Sequence, residues 1–342
     1  MPGTDRPPLR VGLVLDWVHG PDVPAAQQWD EHVELIEAGR SWGLSMVTSG
    51  QHFLPEGLRF YQPIPYLAAM AMRFPDLRVA TAVLLLPLLH PVEVAEQVAT
   101  LDAVSGGRVV CGVGLGYTDR EFELFGIRRN ERGRRLEESV GILRALWSGE
   151  PVDHDGEFYR VQAKAPVVLP VQRPGPPVWV GGGAEASARR AARCGDAYYP
   201  PPFVGHDELR RLYGIHTDAR LAAGRGTADQ VPIRRDLYLA DSAAEAAARI
   251  EPFVNGRTRT YLEWGLGNEA EKSATLSEDA VSELGRRLLL GTPEQVAAGL
   301  TALRDDIGMT DFVLRLQWPG MSHEESLEQM RRFGQEVLPL VG

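Results

Sequence analysis

Short apolar runs that end in polar residues recur along the chain and alternate with segments of helical periodicity. Eight of these runs are predicted as strands of the buried, parallel kind. They are 9–17, 44–48, 77–87, 108–116, 176–183, 196–199, 231–240 and 310–317. The helical segments are 28–42, 63–73, 91–104, 133–147, 184–194, 206–223, 243–254 and one that begins at Ser322. This alternation predicts an α/β fold, a (β/α)8 TIM barrel, with a doubly wound open sheet as the alternative.

Two segments do not fit the minimal repeat. Residues 153–173 are polar, contain proline and have a strand-like pattern, which indicates an excursion from the fourth repeat. Residues 255–287 form a long, polar, glycine-containing stretch after the seventh strand. Loops of that length are usually functional covers or disordered, so we expect a lid insertion after strand 7. The chain shows no internal repeat and no linker, which predicts one domain over residues 1–342.

Composition excludes several classes of protein. The chain has 46 acidic and 36 basic residues and a net charge of −10, which argues against a nucleic-acid partner. It has no apolar stretch long enough to span a membrane. The amino-terminal segment lacks the apolar core of a secretion signal, so we expect a cytoplasmic protein. Cys111 and Cys194 lie far apart without metal-ligand spacing, and we expect no metal.

Active sites of barrel enzymes lie where the strands end, so polar, aromatic and glycine residues there are candidates. Gly181, Gly182 and Gly183 follow a strand and precede a helix, where backbone N–H groups and the helix N-terminus favour a phosphate. A tight turn without a ligand is the alternative. Gly114 and Gly116 fail the dinucleotide-binding spacing, and we interpret them as leaving room for a flat ring. The other candidates are Asp16, Trp17, Gln51, His52, Thr81, Tyr117, Glu185 and Trp318.

His52 is the one histidine at a predicted strand end. An imidazole titrates near neutrality and can act as acid or base. A purely structural role is the alternative.

The motifs in this order resemble the bacterial-luciferase-like flavin-dependent oxidoreductases. The resemblance rests on QHF at 51–53, the run 79–117, EFELFG at 121–126, ERGRRLEE at 131–138, LWSGEPV at 146–152, PPVWVGGG at 176–183 and RRAARCGDAYY at 189–199. It implies a (β/α)8 barrel, usually a homodimer, with flavin at the mouth. Most members use reduced FMN and O2 to oxygenate a small organic substrate. A sister branch transfers hydride with the deazaflavin coenzyme F-420.

The resemblance also implies roles for particular residues. Ala82 and Val83 fall where the family often has a non-proline cis peptide beneath the flavin ring, and Gly182 and Gly183 fall at the flavin phosphate. The segment 255–287 falls at the lid. Asp16, Thr81, Gly114, Gly116, Tyr117, Gly181 and Glu185 complete the predicted cofactor site, and Trp17, Tyr261, Trp264 and Trp318 the predicted substrate site.

One departure from luciferase concerns the base. Luciferases carry two histidines after the second strand, and the first is the catalytic base; here that position is Gln51. Glutamine cannot take a proton at neutral pH, so light emission is not expected. Gln51 and His52 remain the two catalytic candidates.

The favoured function is a two-component monooxygenase that receives reduced FMN from a separate NAD(P)H flavin reductase. A deazaflavin-dependent dehydrogenase or reductase is the alternative. Many deazaflavin users have an acidic residue where this chain has Gln51, which favours FMN. A noncatalytic flavin-binding protein and a phosphate-binding barrel without flavin are the remaining alternatives.

Overall fold

The computed structural model describes residues 8–15, 19–20, 22–55, 57–263, 287–318 and 320–341, and of residues 254–263 it describes the backbone alone. Its strands are β1 Arg10–Val14, β2 Met46–Ser49, β3 Arg78–Leu84, β4 Val109–Val113, β5 Val152–Asp155, β6 Arg160–Ala163, β7 Val178–Gly181, β8 Ala197–Tyr199, β9 Pro232–Leu239, β10 Leu289–Gly291 and β11 Asp311–Arg315. Each of the eight predicted strands is confirmed.

The helices lie between the strands, as the periodicity predicts. They are α1 Ala25–Arg40, α2 Pro63–Arg73, α3 Pro91–Ser105, α4 Asp119–Leu124, α5 Arg132–Ser148, α6 Glu185–Cys194, α7 His206–Ala222, α8 Ala243–Glu263, α9 Pro293–Ile307 and α10 His323–Arg332. A π turn over Phe333–Val337 and a last helical turn, Leu338–Val341, follow α10. No helix in these described ranges is both long and apolar enough to cross a membrane.

Nine of the strands form one parallel sheet that curls on itself. Their order is β10-β9-β11-β1-β2-β3-β4-β7-β8. The buried hydroxyl of Tyr213 lies 3.0 Å from the carbonyl oxygen of Tyr198 and 2.6 Å from that of Pro232, so it bridges β8 and β9. Because the strands are parallel, all their carboxyl ends meet at one edge, called the mouth below.

The sheet is buried on both faces, which explains its continuous apolar runs. Inside the curl, small and large side chains share one cluster: Val14, Met46, Ala80, Val110, Trp179, Ala197, Tyr199 and Val313. Outside it, the helices cover the sheet with a larger apolar layer that includes Leu13, Val79, Val113 and Val180. These two layers leave the mouth as the place where polar side chains can gather.

Buried ion pairs connect the strands at the edge opposite the mouth. Arg10 at the start of β1 donates to both carboxylate oxygens of Asp311 at the start of β11, at 2.7 and 2.6 Å. Asp311 is fully buried and also pairs with Arg78 at 3.6 Å. Arg304, near the carboxyl end of α9 and shortly before β11 begins, donates to the carbonyl of Val341 at 3.2 Å. Both ends of the described chain therefore lie away from the mouth.

The predicted excursion is confirmed as a strand-like segment. Within it β5 and β6 pair as an antiparallel hairpin. Glu138 on α5 holds the hairpin, because its carboxylate lies 3.1 Å from His154 Nε2 and accepts from the backbone N–H of Tyr159 at 2.9 Å.

The prediction for the region after the seventh predicted strand is wrong in part. Residues 255–263 continue α8 rather than forming a loop. Strand β10 and helix α9 were not predicted, although Thr292 and Gln295 form a capping box at the start of α9. The three residues of β10 are too few to give a periodic signal. The rest of the predicted lid, 264–286, lies outside the described residues.

Candidate active site

The mouth brings together three sequence candidates and one residue that was not predicted. Gln51 and His52 follow β2, Tyr117 follows β4, and Glu121 lies in the first turn of α4. Phe122 packs with Leu85 and Leu88, which fixes α4 so that Glu121 faces the loop after β2. The site is therefore built at the carboxyl ends of β2 and β4, on either side of β3.

His52 is held between a carboxylate and a phenol. Its Nδ1 lies 3.1 Å from Glu121 Oε1, and its Nε2 lies 3.3 Å from the hydroxyl of Tyr117. Glu121 Oε1 also accepts from the backbone N–H of Phe53 at 2.8 Å. The imidazole is 13% exposed and the Glu121 side chain 3%. A carboxylate, an imidazole and a phenol in contact can hold and move a proton.

Gln51 is engaged at both ends of its amide. Its Oε1 accepts from the backbone N–H of Leu85 at 2.9 Å, and its Nε2 donates to Gln62 Oε1 at 2.9 Å. Gln62 in turn donates to the carbonyl of His52 at 3.1 Å. These bonds tie the loop after β2 to the end of β3, so Gln51 positions His52. A catalytic role for Gln51 stays a prediction.

The end of β3 has the unusual backbone that the resemblance implies. The peptide bond between Ala82 and Val83 is cis, and the pairing of β3 with β4 shifts register between Thr81 and Leu84. A Cβ on Gly114 would lie 2.6 Å from Val83 Cγ2. Gly114 therefore makes room for Val83 in this irregular pairing, and the interpretation that it leaves room for a flat ring stays a prediction.

Thr81 and Gly116, two predicted cofactor residues, have structural features of their own at this edge. Thr81 Oγ1 donates to the carbonyl of Gly112 at 2.8 Å. Gly116 has φ of +72°, a conformation that a side chain disfavours.

The triple glycine lies where β7 turns into α6. Gly182 has φ of +149°, its carbonyl accepts from the hydroxyl of Tyr198 at 2.6 Å, and Ser187 occupies the space where a side chain would stand. The next residue but one, Ala184, is the N-cap of α6 and offers no side-chain acceptor. The N–H of Ser187 donates to the carbonyl of Ala184 at 2.8 Å, so the N–H groups of Glu185 and Ala186 are the first-turn donors that would favour an anion.

Glu185 is exposed on the first turn of α6. Its carboxylate pairs with Arg189 at 2.8 Å and with Arg211 at 3.4 Å. The two guanidinium groups and the hydrogen bonds that they donate lower the pKa of Glu185. The structure does not bring Glu185 into contact with His52 or Tyr117.

A group of cations, which sequence reasoning missed, lies beside this turn. Arg132 begins α5 and donates to the carbonyl of Gly116 at 2.8 Å. Burial and the neighbouring charges of Arg129 and Arg190 lower the pKa of Arg132. Because β4 and β7 are paired neighbours, Arg132 and the first turn of α6 flank the same part of the mouth. Two elements that favour an anion thus lie side by side.

The predicted substrate residues are placed only in part. Trp318 is fully buried, donates to the carbonyl of Leu237 at 3.4 Å and packs beside Arg315. Asp16, Trp17 and Trp264 lie outside the described residues, and of Tyr261 only the backbone, in α8, is described.

A small polar cavity lies behind the loop after β2. It has a volume of about 10 Å³ and is lined by Gln28, Ser49, Gly50, Arg59 and Phe60, among others. Gln28 Oε1 and Arg59 Nη1 are both buried and have no hydrogen-bond partner in the described residues. An acceptor and a donor facing one cavity of this size fit a single water molecule.

We expect a high-resolution crystal structure to show one ordered water within hydrogen-bonding distance of Gln28 and Arg59. Gln28→Leu should remove that water and cost about 1 kcal/mol of unfolding free energy, because Arg59 loses its bridged partner. An empty cavity in the wild-type density would contradict this expectation.

His216 on α7 supports the triple-glycine turn from behind. It is buried, its ring stacks on Tyr198 with 5.8 Å between the centroids, and its Nε2 has no partner in the described residues. Burial, followed by the charges of Arg220 and Arg225, lowers the pKa of His216 to about 4.

His216 should make stability depend on pH. Unfolding restores its ordinary pKa near 6.5, so the unfolded chain binds more protons between pH 6.5 and about 4 and stability falls as the pH drops through that window. The loss at pH 5 relative to pH 7.5 should be about 2 kcal/mol. His216→Phe keeps a flat ring on Tyr198 but has no group that titrates there. Its free energy of unfolding, measured with urea at the two pH values, should therefore fall by about 2 kcal/mol less than that of the wild type. Parallel losses in the two proteins would show that His216 is not the group responsible.

The fold and the mouth define an α/β enzyme whose site lies at the carboxyl ends of a curled parallel sheet. The chain belongs to the luciferase-like monooxygenase family, whose model matches residues 9–311. This confirms the resemblance drawn from the sequence motifs.

Several relatives support the assignment. The flavin-dependent trigonelline monooxygenase, oxygenase component, of Acinetobacter baylyi is 25% identical over 92% of this chain and 90% of its own. The F420-dependent glucose-6-phosphate dehydrogenase of Mycobacterium tuberculosis is 34% identical, over 49% of this chain and 52% of its own. Among solved structures, the monooxygenase RslO1 from Streptomyces bottropensis has a TM-score of 0.84 and 28% identity, covering 98% of this chain and all of its own.

Proposed function

We propose that this chain is the oxygenase of a two-component flavin monooxygenase, which holds reduced FMN at the mouth and orients a small organic substrate beside it. The observation that carries the proposal is the mouth itself. In a luciferase-like fold, Arg132 and the start of α6, which favour an anion, follow the paired strands β4 and β7. The contacts among His52, Tyr117 and Glu121 lie at the same edge of the sheet and support proton transfer there.

The residues at the mouth fit a flavin phosphate and a flat ring system. The phosphate would be held by the first turn of α6 after Gly183 and by the cation Arg132. The ring would lie against Ala82 and Val83 at the end of β3. When bound, reduced FMN supplies the electrons that activate O2. The protein binds and orients the reactants, excludes water and handles protons at His52 and Tyr117.

The partners follow from the same proposal. An oxygenase of this type needs a separate NAD(P)H flavin reductase, and the Acinetobacter relative is itself named an oxygenase component. A homodimer in the cytoplasm and closure of the sheet as a (β/α)8 barrel belong to the proposal as well.

The alternative function is hydride transfer with the deazaflavin F-420. The F420-dependent relative, at 34% identity over half of the chain, favours it. Against it, the position before His52 carries Gln51, whose amide is engaged with Leu85 and Gln62.

An anaerobic titration followed by absorbance separates these functions. We expect the purified chain to bind reduced FMN without a covalent link and more tightly than oxidised FMN or reduced deazaflavin. Tighter binding of the deazaflavin would contradict the monooxygenase proposal and favour hydride transfer with F-420. Failure to bind either cofactor at high micromolar concentration would contradict both.

A further inference from the structure

His52 has no free ring nitrogen for a ligand. Nδ1 faces Glu121 at 3.1 Å and Nε2 faces the Tyr117 hydroxyl at 3.3 Å. The ring is also covered edge-on by Phe60 and Tyr117, with 4.9 and 5.5 Å between the centroids. An imidazole whose two nitrogens face these groups can exchange protons with Glu121 and Tyr117.

The hydrogen bonds assign the protons. Glu121 Oε1 already accepts from the backbone N–H of Phe53 at 2.8 Å, and an ionised carboxylate can only accept. His52 therefore donates to Glu121 through Nδ1–H. Its Nε2 then carries the lone pair, so Tyr117 must donate its O–H to that nitrogen.

We infer that Tyr117, His52 and Glu121 form a proton relay in which the Tyr117 hydroxyl, rather than His52, meets the reacting molecule. The inference rests on the proposed function and deepens it. When the reacting group gives a proton to the Tyr117 oxygen, the proton of Tyr117 passes to His52 Nε2, and the ring becomes an imidazolium. The reverse transfer returns the proton to the reacting group.

Glu121 is the positioning residue of the relay. It is only 2% exposed, and its second oxygen, Oε2, is buried without a hydrogen-bond partner in the described residues. A buried carboxylate is stabilised by an adjacent positive charge, so it favours the imidazolium that the relay forms. The same bond fixes the ring in its Nδ1–H form and points Nε2 at Tyr117.

Kinetics of single and double variants test the relay. Tyr117→Phe keeps the ring against His52 and removes only the hydroxyl. We expect it to lower kcat about 10²-fold, as much as His52→Gln does. The double variant should be no slower than either single variant, because both remove the same proton path. A Tyr117→Phe enzyme with full kcat, or losses that multiply in the double variant, would overturn the relay.

Nitrogen NMR of the flavin-free protein gives a readout that does not depend on turnover. We expect His52 to show a protonated Nδ1 and an unprotonated Nε2 at neutral pH. Glu121→Gln should remove that preference and lower kcat roughly 10-fold or more. Glu138→Gln is the matched control, because Glu138 on α5 also lies 3.1 Å from a histidine, but that histidine is His154 on the β5–β6 hairpin. It should change neither measurement.

The two proposals fail in different ways. A wild-type His52 protonated at Nε2 would overturn the relay, whatever flavin the protein binds. Absence of flavin binding alongside the expected tautomer would overturn the proposed function and leave the proton arrangement standing.

Discussion

Replacing His52 with glutamine is expected to lower kcat about 100-fold or more and to leave the affinity for reduced FMN nearly unchanged. Glutamine can form hydrogen bonds but cannot carry a proton at neutral pH. The path from Tyr117 to Glu121 is then cut, while the anion-binding elements around Arg132 and α6 are untouched. The pH–rate profiles of the two enzymes should also differ, because the variant cannot carry a proton at this position.

The matched control is His154→Gln, which removes a histidine with the same carboxylate contact on the β5–β6 hairpin. It should keep the wild-type rate and profile. A His52→Gln enzyme with full kcat and an unaltered profile would mean that the loop after β2 only shapes the pocket.

The second large effect should come from charge at the start of α6. Ala184→Asp is expected to weaken binding of reduced FMN about 10-fold or more, because the new carboxylate faces the phosphate with like charge. The same change should stabilise the fold by up to about 1 kcal/mol, because aspartate is a favourable N-cap and Ala184 makes no cap bond. Binding and stability should therefore move in opposite directions.

Ala184→Asn is the control, since asparagine caps the helix with a side chain of the same shape and no charge. It should gain stability and lose much less affinity. Equal losses of affinity in the two variants would assign the effect to shape, and unchanged affinity in Ala184→Asp would place the phosphate elsewhere. Gly182 is a poorer position for this experiment, because any side chain there would displace Ser187.

The strands of the sheet could be predicted because both of their faces are buried, so each appears as a continuous apolar run. Strand β10 could not, because three residues carry no period. Helix α9 was missed although Thr292 and Gln295 mark its start. The sequence did not reveal that Gly114 adjoins Val83, because that contact depends on the irregular pairing of β3 with β4.

The sequence identified His52 and Tyr117 as site residues because each lies just after a predicted strand, where barrel active sites lie. Glu121 was missed because it lies in the first turn of a short helix, and only the fold directs it toward a histidine 69 positions earlier. Arg132 was missed for a similar reason, since an arginine-rich helix start is usually solvated. The phenylalanine that follows Glu121 was a usable signal, because Phe122 is buried and anchors the turn.

The pairing of Arg10 with Asp311 and the contact of Val341 with Arg304 place both ends of the described residues away from the mouth, which has a practical consequence for handling the protein. A surface anchor attached at either end would orient every molecule with its mouth toward solution. Immobilised in this way, the oxygenase should keep its access to dissolved O2, to substrate and to a reductase added or co-attached beside it. Anchoring through the loop after β2 should instead present the closed edge, and turnover per attached molecule would compare the two orientations.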